Sequence, residues 1–214
     1  SQRFDLSQKN GKPIHKILYL QSTSEISGTD MTLLRTLQVL DRSRFKPYVV
    51  IPQDGPLVDA FRKAVDHVEL LPAMRKLTSR KGIGYLFSFV IGYLRAVFQI
   101  VKLIRREGID LIHTNTIHNL YGFLAAKWAK KAHIWHIREI VVQSALLRFL
   151  EILLVKQFSD RFIVMTDAIA KTFMKKKGGF PRNIEKMYDG IDLERFHPSV
   201  SGKRIRDELG LDAD

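Results

Sequence analysis

Short apolar runs of strand length alternate along this chain with longer stretches in which apolar residues recur at helical spacing. Lys16–Gln21 follows a Gly-Lys-Pro breaker and predicts the first strand. Met31, Leu33, Leu34, Leu37, Val39 and Leu40 then predict a buried helix. Phe45–Ile51 reads as a second strand, Pro52–Pro56 as a turn, Leu57–Ala64 as a helix, and Val68–Leu71 as a third strand stopped by Pro72. A long apolar helix is expected over Ile83–Ile104. Two more short runs, Ile109–His113 and His133–Ile137, flank a helical segment, Asn119–Lys131, the spacing of a strand, crossover helix and parallel strand. Beyond them come a buried helix at Ala145–Phe158, a strand at Arg161–Met165, a helix at Ala168–Lys177, a strand at Ile184–Tyr188 and a last helix at Lys203–Leu209. Such alternation predicts an α/β fold, a doubly wound and mainly parallel sheet with helices on both faces.

Polar residues punctuate this pattern where chemistry is expected. His113, Thr114 and Asn115 close one central run, and His136, Arg138 and Glu139 close the next. The carboxyl ends of parallel strands face the ligand crevice, so both clusters should open onto one cleft. A third candidate is Ser27-Gly28-Thr29-Asp30, at the start of the first helix. Ser27 with Asp30 reads as a capping box, and Gly28 leaves room for an anion at the positive helix end. A plain cap with no ligand explains the same residues. The dinucleotide fingerprint Gly-x-Gly-x-x-Gly is missing after Gln21, as is a P-loop, which argues against a nicotinamide-linked oxidoreductase.

Composition adds a partner class and removes others. With 214 residues and 45% hydrophobic content the chain can bury a sizeable core, and the lack of cysteine excludes disulfides and thiolate zinc sites. Its 35 Lys and Arg against 22 Asp and Glu leave a net charge of +13, which favours a polyanion or an anionic membrane surface. A nucleic-acid-binding module is the competing explanation. No helix-turn-helix, zinc-finger or RNA-recognition pattern accompanies the charge, and the basic residues are scattered over many elements. The apolar helix at Ile83–Ile104 is interrupted by Arg95 and Lys102, so it reads as a core crossover or interfacial helix and not as a membrane span. Lys175–Lys177 before Gly178-Gly179 reads as a solvated helix end, with a lipid contact as the alternative.

Five motifs in order give a more specific likeness: Ser27-Gly28-Thr29-Asp30, Ile112-His113-Thr114-Asn115, Trp135-His136-Ile137-Arg138-Glu139, Ile163–Ile169, and Asp189-Gly190-Ile191-Asp192-Leu193-Glu194-Arg195-Phe196. With these the chain resembles, from Lys16 onward, the N-terminal domain of retaining glycosyltransferases of GT-B fold, family 4. Two departures stand out. The family commonly carries Gly-Gly and a glutamate where this chain has Ser27-Gly28 and Asp30, and an asparagine where it has Asp189.

The resemblance implies transfer of a sugar from a nucleotide-diphosphate sugar, with no cofactor, to a glycan or lipid-linked acceptor. It implies a Rossmann-like domain over residues 16–200, a tail before it at 1–15, and over 201–214 the start of a linker to a C-terminal, nucleotide-binding domain absent from this chain. His136 would contact the donor sugar near the reacting carbon, the alternative being a buried histidine that satisfies neighbouring backbone. Gly28 and Thr29 would help hold the diphosphate, and Asn115, His118, Arg138 and Glu139 would line the acceptor side. Arg138 and Glu139 either orient His136 or the acceptor, or pair with each other. Although His113, Asn115 and His118 cluster in sequence, they lack carboxylate partners at ligand spacing, so no metal is expected. Basic stretches at Arg75–Lys81 and Lys127–Lys131 suit an anionic or lipid-linked glycan, with the protein cytoplasmic and peripheral on the inner membrane face.

Overall fold

The structure, a computed structural model, describes residues 13–75, 83–139, 145–173, 183–194 and 196–210. Its strands are β1 (His15–Leu20), β2 (Phe45–Ile51), β3 (His67–Leu70), β4 (Leu111–Asn115), β5 (Ala132–Ile137), β6 (Arg161–Val164) and β7 (Ile184–Lys186). The helices are α1 (Gly28–Gln38), α2 (Val58–Ala64), α3 (Ile83–Glu107), α4 (Tyr121–Ala129), α5 (Ala145–Phe158), α6 (Asp167–Thr172) and α7 (Lys203–Leu209). All seven strands pair in parallel, in the order β3-β2-β1-β4-β5-β6-β7, so the order turns back between β1 and β4. That reversal is where an open parallel sheet forms its crevice.

Alternation along the strands divides the core. Ile17, Tyr19, Val49 and Ile51 pack with Leu33, Leu37 and Phe61 of α1 and α2. Their neighbours Leu18, Leu20, Val50 and Ile112 face the other way, onto Val97, Ile100 and Ile104 of α3 and Ala125 of α4. Farther along this second face, Trp135, Ile137, Phe162 and Val164 meet Val155 of α5, Ile169 of α6 and Phe173 at the end of α6. Helices therefore cover both faces, and α3 is the crossover helix expected of it, with Val97, Ile100 and Ile104 buried.

Several boundaries differ from the sequence pattern by a few residues, and those on either side of β4 matter for the site. The helix expected to stop at Ile104 runs to Glu107, where Gly108 adopts a φ of 64° and Ile109 N–H folds back to the carbonyl of Ile104. Ile109 thus caps α3, and β4 begins two residues later than its apolar run, which carries Thr114 and Asn115 inside the strand. α4 starts at Tyr121 instead of Asn119, because Thr116 turns the chain at a φ of 94° and Asn119 Oδ1 accepts the Tyr121 N–H. The lysines at 175–177 and the basic loop beyond Arg75 lie outside the described residues. No helix among the described residues is long and apolar enough to cross a membrane.

Candidate active site

β1, β4 and β5 lie side by side at the order reversal, and period-two alternation puts Tyr19 and Gln21, His113 and Asn115, and His136 on one face of the sheet. Asn115 and His136 are register partners on adjacent strands. α1 begins beside them: Asn115 Nδ2 donates to the Thr29 carbonyl at 3.4 Å. Gly28, Thr29, Asn115 and His136 therefore meet at one end of the sheet, as expected of the cleft.

A chain of buried polar groups runs through this end. Arg138 Nε donates to Asn115 Oδ1 at 2.9 Å, Asn115 Nδ2 to Gln21 Oε1 at 2.7 Å, and Gln21 Nε2 to Asp30 Oδ1. Asp30 is fully buried, and its other oxygen accepts from Thr23 and Ser27 hydroxyls at 2.8 and 2.6 Å. The expected cap is thus present in half: Ser27 Oγ accepts the Asp30 N–H, but the Asp30 carboxylate turns inward to Gln21 instead of reaching back to the Ser27 amide. At the far end, Arg138 NH1 meets both oxygens of Asp189 at 2.7 Å, with the Arg138 side chain only 6% exposed. An ion pair this enclosed depends on its extra hydrogen bonds, and removing one partner strands a charge.

His136 is buried at 4% exposure. Arg138 NH2 lies 3.5 Å from its Nδ1, whereas its Nε2 is enclosed with no hydrogen-bond partner among the described residues. An enclosed donor or acceptor left unpaired costs about 1–3 kcal/mol, which a bound ligand can recover. Burial, reinforced by His113 and the Arg138 guanidinium, holds His136 neutral by pushing it down to about 2. The neighbouring His113 ring, 5.5 Å away, also has an enclosed, unpartnered Nε2, and burial, reinforced by the Arg138 guanidinium and the neighbouring His133 ring, brings it to about 3. On its other side His113 lies 4.9 Å from the Tyr19 ring, whose hydroxyl burial pushes up to about 12. All three rings are therefore uncharged near neutral pH.

The remaining expected residues play smaller parts. Gly28 is exposed with nothing within 4 Å of where a Cβ would stand, so neither packing nor backbone conformation demands glycine there. His118 is exposed in the turn after β4, its amide donating to Thr116 Oγ1. Glu139 accepts from the amides of Ile117 and Arg138 and holds that turn; the guanidinium of Arg138 pairs with Asp189 and not with Glu139. Among the described residues no group of three or more His, Asp or Glu is arranged to hold a metal.

Sequence reasoning missed three contributors. Gln21 ends the first apolar run and bridges β1 to β4; its position as the first polar residue after a strand is the signal that points to it. Asp189 was visible only as part of a motif. Thr116, at positive φ, is pinned by its amide to the His136 carbonyl and by its carbonyl to Trp135 Nε1, at 2.9 and 2.8 Å. A β-branched residue there is strained, and such strain gathers at functional ends of strands.

Comparison with known proteins agrees with this geometry. No curated protein matches the chain in sequence. HepE from Anabaena, solved with UDP and glucose, superposes with a TM-score of 0.66 at 21% identity, over 92% of this chain and 50% of that one. A glycosyltransferase from Rickettsia africae gives 0.65 at 13% identity, over 94% and 51%. MurG from Acinetobacter baumannii gives 0.57 at 11%, over 83% and 46%. The chain spans about half the length of these solved structures. At such identities the likeness establishes the fold, a Rossmann-like sheet of the kind found in GT-B glycosyltransferases. The sequence profile of Glycosyltransferase Family 4 matches residues 26–195, most of the chain and all of the strand-end cluster except Tyr19, Gln21 and Thr23, so the chain belongs to Glycosyltransferase Family 4.

Proposed function

We propose that this chain is the N-terminal, acceptor-side half of a retaining GT-B enzyme that moves a sugar from a nucleotide-diphosphate sugar to a glycan or lipid-linked acceptor in cell-surface polysaccharide or glycolipid synthesis. The observation that carries the reading is the family match over 26–195 together with the meeting of the α1 N-terminus, Asn115 and His136 at the order reversal of the sheet. Residues 16–200 form the domain and 201–214 lead toward a second one. In support, Tyr188, Ile191, Leu193 and Leu209 are exposed late in the chain, and α7 buries none of its residues.

In this scheme the amides of Gly28 and Thr29, at the positive end of α1, face the departing diphosphate. His136 supports charge near the reacting carbon, and Asn115 keeps α1 and β5 in register. The enclosure of His136 Nε2 means that donor contact requires this end of the sheet to open. Since a GT-B cleft lies between two domains, residues 1–214 alone bind donor weakly and do not turn over. Membrane attachment is peripheral, at the cytoplasmic face: Val90, Ile91, Leu94 and Phe98 form an exposed apolar stripe on α3, with exposed Arg95 and Lys102 beside it.

The test is release of nucleoside diphosphate by the full-length protein across a panel of nucleotide sugars, with and without membrane lipid extract. Product anomers are read by NMR. Transfer with retained configuration is expected; no turnover of any nucleotide sugar, or an inverted product, rejects the reading. Anionic vesicles should pellet the protein in a salt-reversible way and neutral ones should not.

A further inference from the structure

The polar chain between Asp30 and Asp189 has a direction. Arg138 can only donate, so the side of Asn115 that faces Nε must be its oxygen. The amide of Asn115 is then turned toward Gln21, whose oxygen accepts it and whose own amide meets the Asp30 carboxylate. A carboxylate at each end and one guanidinium fix the orientation of both neutral amides. The same logic reaches His136 through the remaining arm of Arg138. NH2 brings an N–H of a permanently charged group to 3.5 Å from Nδ1, where a ring lone pair is attracted and a ring N–H repelled. Arg138 cannot swing away, because NH1 is held by both oxygens of Asp189 and Nε by Asn115.

We propose that Arg138, anchored by Asp189 and Asn115, is a positioning residue that sets the tautomer of His136, keeping Nδ1 as acceptor and leaving Nε2–H as a donor. Nε2 is the enclosed atom with no partner among the described residues, so the proton sits on the nitrogen that lacks an acceptor. A neutral N–H donor suits a sugar or diphosphate oxygen and does not act as a base. That last step rests on the sugar-transfer reading above; the tautomer itself does not. The aspartate at 189, where the resembling family commonly has asparagine, gives the guanidinium a charged two-oxygen anchor, so in this chain the strand end of β5 is tied to the segment that leaves β7.

Multiple-bond nitrogen–proton NMR on the labelled chain reads the ring directly, with His136 assigned by the signals lost in His136→Asn. The expected wild-type spectrum has an unprotonated Nδ1 and a protonated Nε2, and Arg138→Met should move population to the other tautomer. A proton on Nδ1 in the wild type, or an unchanged ring spectrum in folded Arg138→Met, overturns the proposal. Should Arg138→Met fail to fold, Asp189→Ala takes its place, because losing the anchor should likewise shift the tautomer, and an unchanged spectrum there overturns the anchoring. In the full-length protein, Arg138→Lys should lower kcat by about tenfold or more while KM for the nucleotide sugar stays within about twofold. A raised KM at unchanged kcat makes Arg138 a substrate ligand and overturns the assignment. Absence of transfer by the wild type removes only the reading on which the last step rests, since the NMR result stands apart from it.

Discussion

His133 and His136 sit three residues apart on β5 and face opposite sides of the sheet, and the two sides treat an imidazole differently. His133 is 1% exposed with both ring nitrogens engaged: Nε2 is 2.8 Å from Thr114 Oγ1 and Nδ1 is 3.4 Å from the Phe158 carbonyl. It belongs to a face filled by Trp135, Phe162 and their helices. His136 is almost as buried but keeps one nitrogen unpartnered and the other beside an anchored guanidinium. Burial by itself therefore does not tell the two apart. An unmet hydrogen-bonding capacity at the ligand end of a strand does, because a folded chain tolerates that deficit where binding can remove it.

What the two rings share gives the largest expected effect. Burial lowers His133 to about 4, against the Phe158 carbonyl and Asp160, and His136 to about 2. Below the unfolded value near 6.5 the unfolded chain binds more protons than the fold, so stability is fully present above that value and falls with pH. With these two and His113, held at about 3, all contributing, lowering the pH from about 7 to about 5 should cost up to about 6 kcal/mol, about 2 from each ring, read by urea denaturation. A flat profile would mean that none of these rings is held neutral.

The next predictions pull the two apart. On the sugar-transfer reading proposed above, His136→Ala in the full-length protein should lower kcat on the order of 10² or more, with little change in KM. An unchanged kcat would remove His136 from the chemistry. His133→Ala should instead destabilise the protein by about 2–3 kcal/mol, leaving Thr114 and the Phe158 carbonyl unpaired, with kcat per folded molecule intact. Loss of kcat without loss of stability would reverse the contrast. The smallest effect probes the His133 side from α4: a Cβ at Gly122 would run into Thr114 Oγ1 and Leu20 Cδ1. Gly122→Ala should therefore displace Thr114, weaken its bond to His133 and cost about 1–2 kcal/mol in thermal unfolding, again sparing kcat.

The order of strands and helices was legible in the chain itself, because a buried parallel strand reads as a short apolar run and a crossover helix as a longer periodic one. Phe45–Ile51, Ala145–Phe158 and Lys203–Leu209 have the boundaries that their residues predict. So was the placing of Asn115 and His136 at one strand end, since polar residues closing apolar runs mark the mouth of such a sheet. Tertiary structure decided the rest. Ile109 reads as strand but caps α3, because an apolar residue after a left-handed glycine can pack in either way and only the neighbouring fold chooses. Arg138 and Glu139 stand next to each other in sequence as an obvious pair, yet Arg138 reaches Asp189, 51 residues away, because β6 and β7 carry that carboxylate to the end of β5. Which histidines keep an unpartnered nitrogen, His113 and His136 but not His133, is likewise absent from local sequence, since it depends on groups that several separate strands deliver to one place.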